Sequence, residues 1–288
     1  MIAKAADDAL GEYDFTEAHF RQIADLAHRR YGLNLAETKK PLVYSRLARR
    51  LRARGLADFS AYLELIKRDG ETEEETAFVS ALTTNVTSFF RENHYFELLQ
   101  GRGLPVMARQ LEAGQRVRLW SAGCSSGEEP YSLAMTLLEH LPGAARRDVR
   151  ILATDIDPAV VSMAQAGRYS DESVATIPQA LRDRYVTGSG DPRKPNQMAP
   201  SVRDMVKIAE LNLMTDWPFK GPFDAIFCRN VAIYFDKPTQ ARLWERFVGL
   251  LREGGLLFIG HSERVTGPAT AALETIGITA YAKRTNPK

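Results

Sequence analysis

Only two cysteines, Cys124 and Cys228, occur in 288 residues. That scarcity excludes a disulfide framework and any four-cysteine zinc site, and no metal is expected. It suits a reducing compartment, where isolated thiols are ordinary core residues. No uninterrupted apolar run reaches the roughly 18 residues that a membrane helix requires. Residues 1–13 carry Lys4 and then Asp7, Asp8 and Glu12 with no apolar stretch, which does not fit a secretory signal. The expectation is a soluble cytoplasmic protein without membrane insertion. There is no internal repeat and no long low-complexity tract. Net charge is also nearly lacking. The 38 basic and 36 acidic residues leave +2, which is not the signature of a chain that coats nucleic acid.

What is present is enough apolar matter for a substantial core, 44% of residues, in two kinds of pattern. The first part reads helical by its 3.6-residue period. Phe20, Ile23 and Ala27 form one stripe, with Thr16 as N-cap and Gly32 as terminator. Leu42, Val43, Leu47 and Leu51 form a second between Pro41 and Gly55. Asp58 caps a third helix with Tyr62, Leu63 and Ile66. Residues 71–82 open on acids, as a helix N-terminus prefers, and residues 89–99 give a fifth helix. Short apolar runs then alternate with helical stretches. The runs are 117–120, 150–154, 223–228 and 255–260, with a last one at 278–282. The helices are 129–140, 159–166 and 239–251. That alternation predicts an α/β fold, a doubly wound and mostly parallel sheet. Residues 170–206, broken by Gly188, Gly190, Pro192, Pro195 and Pro200, are too long for a simple crossover. They are expected to form an inserted lobe with a small β-sheet. The domain reading is a helical, basic N-terminal domain at 13–82 and an α/β domain at 83–288 that carries the insertion.

Charge is unevenly spread along the chain. Residues 21–54 hold ten basic and two acidic residues, a net of +8, which leaves −6 for the remainder. Arg46, Arg50 and Arg54 recur every fourth residue and share one helix face, while Val43, Leu47 and Leu51 form the neighbouring inward face. With Arg49 they are expected to present an arginine stripe to solvent. That stripe reads either as a solvated face or as a docking surface for an acidic partner.

Ligands of open parallel sheets bind at the carboxyl ends of the strands. The first strand ends in Ser121-Ala-Gly-Cys-Ser-Ser-Gly127, where Gly123 and Gly127 let the loop pass close under a ligand. The second ends in Asp155-Ile-Asp157, and an acid there is placed to accept both hydroxyls of a ribose. The loop lacks G-x-G-x-x-G, and Glu128 and Glu129 at the helix start would repel a pyrophosphate. They suit a cationic ligand, and S-adenosylmethionine offers an ammonium, a sulfonium and a ribose. A rival lies in the same loop. Gly123-Cys-Ser-Ser-Gly127 satisfies G-x-S-x-G, with Asp236 and His261 following in hydrolase order. Against it, the preceding chain is helical and no glycine-rich oxyanion loop lies upstream. Duller roles fit other residues. Asp157 caps a helix with Pro158 at its first position, Cys124 is a small buried residue, His261 meets a local hydrogen-bond need, and Trp120 and Trp217 pack.

Several long motifs now come together. They are Thr84-Asn-Val-Thr-Ser-Phe-Phe-Arg-Glu92, Trp120-Ser-Ala-Gly-Cys-Ser-Ser-Gly-Glu-Glu-Pro-Tyr-Ser132, Ala153-Thr-Asp-Ile-Asp157, Phe223-Asp-Ala-Ile-Phe-Cys-Arg-Asn-Val-Ala-Ile-Tyr-Phe-Asp236 and Gly260-His-Ser-Glu263. In this order they closely resemble the chemotaxis receptor methyltransferase family, CheR, over about residues 15–284. The resemblance implies a protein-glutamate O-methyltransferase of the class I S-adenosylmethionine-dependent fold. It implies methyl-accepting chemotaxis receptors as partners and S-adenosylhomocysteine as product. It also implies that Asn85, Thr87 and Arg91 line the cofactor and active site, that Glu129 lies at the cofactor's amino-acid end and that Asp155 holds the ribose. By the same resemblance Asn212 and Leu213 flank the adenine, Arg229 and Asn230 complete the pocket, and Tyr234 sits near the transferred methyl, with Arg91 and Tyr234 in catalytic roles. Arg46, Arg49, Arg50 and Arg54 become the receptor-docking set, and the inserted lobe resembles one that grips a receptor tail in some members. One departure is Ala232, where the family usually has Met. It removes volume near the site but no reactive group. A nucleic-acid methyltransferase is disfavoured because only Tyr31 and Tyr44 interleave with the arginines, too few for a stacking pocket. A non-catalytic scaffold is the remaining alternative, and a monomer is expected.

Overall fold

The helices α1 (Glu17–Tyr31), α2 (Lys40–Arg54) and α3 (Phe59–Lys67) form where apolar periodicity and caps coincide, and α4 (Thr72–Leu82) opens on an acidic first turn. The computed structural model describes residues 12–68, 72–188 and 195–285. At the start of α1 the Thr16 side chain accepts the His19 N–H, and the His19 ring accepts the Thr16 N–H, a reciprocal capping box. Asp58 accepts the Ala61 N–H at 2.8 Å and starts α3. Gly32 and Gly55 close α1 and α2 at φ of 72° and 63°, a conformation glycine adopts without steric cost. The chain divides into two compact units, Met1–Thr84 with Tyr234–Asp236 and Asn85–Ile233 with Lys237–Lys288.

The helical unit buries Phe20, Ile23, Val43, Leu47, Leu51, Phe59, Tyr62, Ile66 and Phe78. Among them lies a fully buried carboxylate, Glu74. It accepts two guanidinium bonds from Arg50, at 3.0 and 2.7 Å, and the Tyr62 hydroxyl at 3.0 Å, with Arg54 3.4 Å away. Arg46 donates to the carbonyls of Ala81 and Thr83, at 3.0 and 2.7 Å, and to the Thr84 hydroxyl. The expected solvent-facing stripe is therefore corrected. Arg46, Arg50 and Arg54 turn onto α4 and the segment after it. Arg49 alone of the four is exposed and without an ion pair or hydrogen bond among the described residues. The strip Tyr234–Asp236 joins this unit through Leu33, which pairs with Phe235, and through an Asn34 N–H that donates to the Tyr234 carbonyl at 2.7 Å. His28 Nε2 lies 2.9 Å from Asp236 Oδ2.

The second unit opens with α5 (His94–Leu98) and α6 (Leu104–Glu112), and alternation then sets in with β1 (Val117–Ala122), α7 (Glu128–His140), β2 (Val149–Asp155) and α8 (Pro158–Ala166). The lobe follows: β3 (Arg168–Tyr169), α9 (Asp171–Val174), α10 (Gln179–Tyr185), β4 (Val186–Thr187), β5 (Asn196–Met198) and α11 (Pro200–Arg203). Then come β6 (Val206–Glu210), β7 (Phe223–Cys228), α12 (Lys237–Leu250), β8 (Leu251–Ile259), β9 (Leu273–Gly277) and β10 (Ala280–Lys283). The main sheet has seven strands in the order β6-β2-β1-β7-β8-β10-β9. Its first five are parallel, and β10 and β9 close one edge antiparallel. Val117, Leu119, Ile151, Ala153, Ala225, Ile226, Phe227, Leu257 and Phe258 are fully enclosed, as strands covered on both faces must be. Trp120 is enclosed too, edge-on to Trp217 at 4.8 Å and to Phe247 at 5.2 Å.

Three expectations shift. The fifth helix starts at His94 instead of residue 89, because Phe90 and Glu92 adopt φ of 53° and 56° and break the helical path. Residues 206–210 form an edge strand of the main sheet, not the rim of the lobe, and β9 is an edge strand that the apolar pattern did not mark. The lobe contains a three-stranded antiparallel sheet, β3-β5-β4, which begins two residues before 170.

Candidate active site

The chain runs from β1 through α7 to β2 on one side and later returns to β7 on the other, so the strand order reverses at β1. The crevice beyond the carboxyl ends of β1 and β7 is thus the topological switch point. The loop after β1 is tight. The amides of Gly123 and Cys124 both donate to the Thr154 carbonyl, at 2.7 and 2.9 Å. A Cβ on Gly123, whose φ is 84°, would lie 2.2 Å from the Val231 side chain, and one on Gly127, at φ 100°, would strike Tyr169 and Ala164. Only glycine lets this loop lie against its neighbours.

Asp155 ends β2 and is 8% exposed. Its Oδ2 accepts the Ser125 N–H at 2.8 Å and its Oδ1 the Asp157 N–H at 3.1 Å, which fixes the carboxylate and leaves lone pairs on both oxygens. Burial raises its pKa, while those amides favour its charged form. Asn85 is tied to the same loop. Its Nδ2 donates to Asp157 Oδ2 at 2.7 Å and its carbonyl accepts the Ser125 hydroxyl at 2.9 Å. Asp157 caps α8 by accepting the Ala159 N–H. From β6, the Leu211 N–H donates to the Asp155 carbonyl at 2.8 Å, which sets the following Asn212 and Leu213 beside that acid. Asn212 Oδ1 accepts the Met214 N–H, and Arg246 of α12 reaches the Leu213 and Thr215 carbonyls at 2.5 and 2.6 Å.

A second group centres on Arg229 at the end of β7, whose side chain is 4% exposed. It donates to Glu129 Oε2 at 2.9 Å, to Glu92 Oε2 at 2.7 Å and to the Arg91 carbonyl at 2.6 Å, and its guanidinium stacks 4.5 Å over Tyr95. Burial works against its charge, but Glu129 and Glu92 outweigh that and raise its pKa. The other Glu129 oxygen accepts the Ser121 hydroxyl at 2.7 Å. Arg91 itself donates to the Val86 carbonyl at 2.8 Å and has no carboxylate partner among the described residues. Thr87 is half-buried. Asn230 takes φ 59° as the chain leaves β7.

Asn85 and Asp155 thus meet through Ser125 and Asp157, Asn212 and Leu213 follow the residue that bonds the Asp155 carbonyl, and Arg91, Glu129 and Arg229 form another group. Tyr234 belongs to the helical unit, where its hydroxyl donates to the Thr84 carbonyl at 3.3 Å and Lys39 Nζ lies 5.4 Å from its ring. The residues of the hydrolase pattern have other partners, since Ser125 Oγ donates to the Asn85 carbonyl and Asp236 Oδ2 bonds His28. Burial raises the Cys124 thiol pKa well above its usual value, which disfavours the thiolate. Glu92, Ser121, Tyr95 and Arg246 were missed. The partners of Glu92, Tyr95 and Arg246 lie far along the chain, and the Ser121 hydroxyl meets Glu129 across the loop after β1, so no local spacing announces them.

Comparison with known proteins gives a consistent result. Residues 85–282 match the family described as CheR methyltransferase, SAM binding domain, and residues 18–83 match CheR methyltransferase, all-alpha domain. A Rhizobium etli protein named "Probable chemotaxis protein methyltransferase" is 48% identical over 251 residues, 87% of this chain and 94% of its own. "Chemotaxis protein methyltransferase 2" of Pseudomonas aeruginosa is 44% identical over 272 residues, 94% of each chain. "Chemotaxis protein methyltransferase" of Escherichia coli is 45% identical over 250 residues, 86% of this chain and 85% of its own.

Proposed function

The chain belongs to the CheR methyltransferase family, and from that premise we propose how its side chains divide the work. The reaction is methyl transfer from S-adenosylmethionine to glutamate carboxylates of chemoreceptor cytoplasmic domains, which leaves methyl esters and S-adenosylhomocysteine. The observation that carries the site assignment is the pair of fixed acids, Asp155 and Glu129, flanking a loop that only glycine can form. This donor set fits the cofactor. Asp155 would accept the ribose hydroxyls, Glu129 would face the ammonium, and Asn212 and Leu213 would flank the adenine. Asn85, Thr87, Arg229 and Asn230 would complete the pocket. When bound, the cofactor supplies an electrophilic methyl on a sulfonium that leaves readily.

The residues of the chain have no proton to move. A glutamate with a reference pKa of about 4.3 is already a nucleophile at neutral pH. The protein's task is to position and desolvate it, an effect that contributes about 7–11 kcal/mol in favourable cases. Arg91, anchored by one nitrogen, keeps the rest of its planar fork for that carboxylate. Tyr234 is the proposed second contact, a role in which its hydroxyl exchanges the Thr84 carbonyl for the substrate. Arg49 is the docking arginine left open to an acidic receptor surface. No helix among the described residues is long and apolar enough to cross a membrane, and we place the enzyme in the cytoplasm as a monomer.

The test is transfer of labelled methyl to a receptor cytoplasmic fragment, with the label released by base. Asp155→Ala is expected to abolish S-adenosylhomocysteine binding while receptor binding persists. Label in RNA, with none in receptor fragments, would sink the reading.

A further inference from the structure

The motif Gly260-His-Ser-Glu263 finds no place in the chemistry above, yet its last residue is a carboxyl only 4% exposed. Glu263 Oε1 accepts the Ile233 N–H at 3.1 Å, and Oε2 accepts the Gly260 N–H at 2.5 Å. Its own N–H returns a bond to the Gly260 carbonyl at 2.9 Å. Burial pushes its pKa up, and the amides of Gly260, Ile233, Asn230 and Ala232 all pull the other way by favouring the charge. One carboxylate therefore draws on backbone donors of Asn230, Ala232 and Ile233 in loop 230–233, in which Asn230 has the left-handed φ of 59°. The loop is held from a second direction, because Gln240 Nε2 donates to the Ala232 carbonyl at 2.8 Å. A third constraint is steric. A Cβ on Gly260 would lie 2.6 Å from the Asn230 nitrogen.

We propose that Glu263 is a positioning residue for methyl transfer, holding loop 230–233 in the shape that presents Asn230 to the cofactor. The inference rests on the reading of Asn230 as part of the cofactor pocket. A short loop whose amides point inward to one anion cannot use those donors elsewhere. Without the anion, the Gly260 and Ile233 amides lose the acceptor they share and the loop must reorganise to satisfy them.

The test uses the full-length chain and S-adenosylhomocysteine as the titrated probe. Glu263→Gln preserves shape but sets an NH2 donor against backbone donors. Its affinity for the probe is expected to fall about fivefold or more. Glu263→Asp, which restores the charge at shorter reach, is expected to recover part of that loss. A residue that served only stability would lower the melting temperature and leave the affinity of the folded protein unchanged. A loss below about fivefold in Glu263→Gln, whatever its melting temperature, overturns the proposal. Should Glu263→Gln not fold, Gly260→Ala displaces the same loop while keeping the carboxylate. It is expected to show the same loss, and parent-like affinity there overturns the proposal equally. Asp155→Ala separates the two readings. If it still binds the probe, the cofactor site is misassigned. If it does not, while both Glu263→Gln and Gly260→Ala bind like the parent, only the positioning role falls.

Discussion

Asp155 sits in a conflict that its pH behaviour should reveal. Burial raises its pKa above the ordinary value, and the amides of Asp157 and Ser125 only partly oppose that. In the role proposed for Asp155, the charged form accepts the two ribose hydroxyls. As pH falls through the raised pKa the carboxyl takes a proton, one oxygen becomes a donor, and cofactor affinity is lost. The loss should begin above the range in which an ordinary aspartate titrates, about pH 3.9. Calorimetric titration with S-adenosylhomocysteine between about pH 4 and 7 checks this, with Asp155→Asn as comparison. The variant is expected to bind weakly throughout with a diminished acid limb, and a limb identical to the parent's would assign the titration elsewhere. The place of this acid at the tip of the second strand was legible in the sequence, because the apolar run 150–154 stops at it. Glu129 was legible as an acid at a helix start. Its partner was not, because Arg229 lies at the end of another strand and meets it only through the sheet order. Glu263 was visible as part of a motif, but the amides it gathers come from a loop thirty residues earlier.

At the scale of elements, helices α1 to α3 were legible because each has its stripe and its cap. What the stripe could not disclose was the far side of α2. No acid stands four residues from Arg46 or Arg50, so the sequence showed uncompensated charge. The compensation comes from α4, whose acidic first turn supplies Glu73, Glu74 and Glu75 to Arg54, Arg50 and Arg30. The consequence is a separation of roles within one helix. Arg50→Ala leaves the buried Glu74 carboxylate with only the Tyr62 hydroxyl and the more distant Arg54, and a loss of about 3 kcal/mol in the unfolding free energy is expected. Arg49→Ala should stay within about 0.5 kcal/mol of the parent, as an exposed surface change. Denaturant unfolding measures both, and equal small effects would mean that the Arg50–Glu74 pair is not holding the helices. The edge strands β6 and β9 were illegible for a related reason. Each is covered on too little of its surface to need the continuous apolar run that marked β7.

For the molecule as a whole, the uneven charge depends on where the count stops. Residues 21–54 carry +8, but residues 12–84 hold twelve basic and twelve acidic side chains, a net of zero. Seven of the ten basic residues in the shorter window are paired or bonded inside the helical unit: Arg29, Arg30, Lys40, Arg46, Arg50, Arg52 and Arg54. Fold class was legible because strand and helix periods differ locally. Net surface charge was not, because opposite charges cancel through space between segments far apart in sequence. A uniformly positive docking face would make receptor methylation steeply salt-dependent, since screening acts on every exposed charge that steers the encounter. A neutral unit with a few open cations should not behave so. Raising ionic strength from about 0.05 to 0.5 M is expected to raise KM for a receptor fragment by no more than about threefold. Arg49→Glu should raise that KM further while leaving S-adenosylhomocysteine affinity unchanged. A rise of about a hundredfold with salt would mean that the paired arginines release their acids to meet the receptor, and that the stripe read from the sequence is formed only on docking.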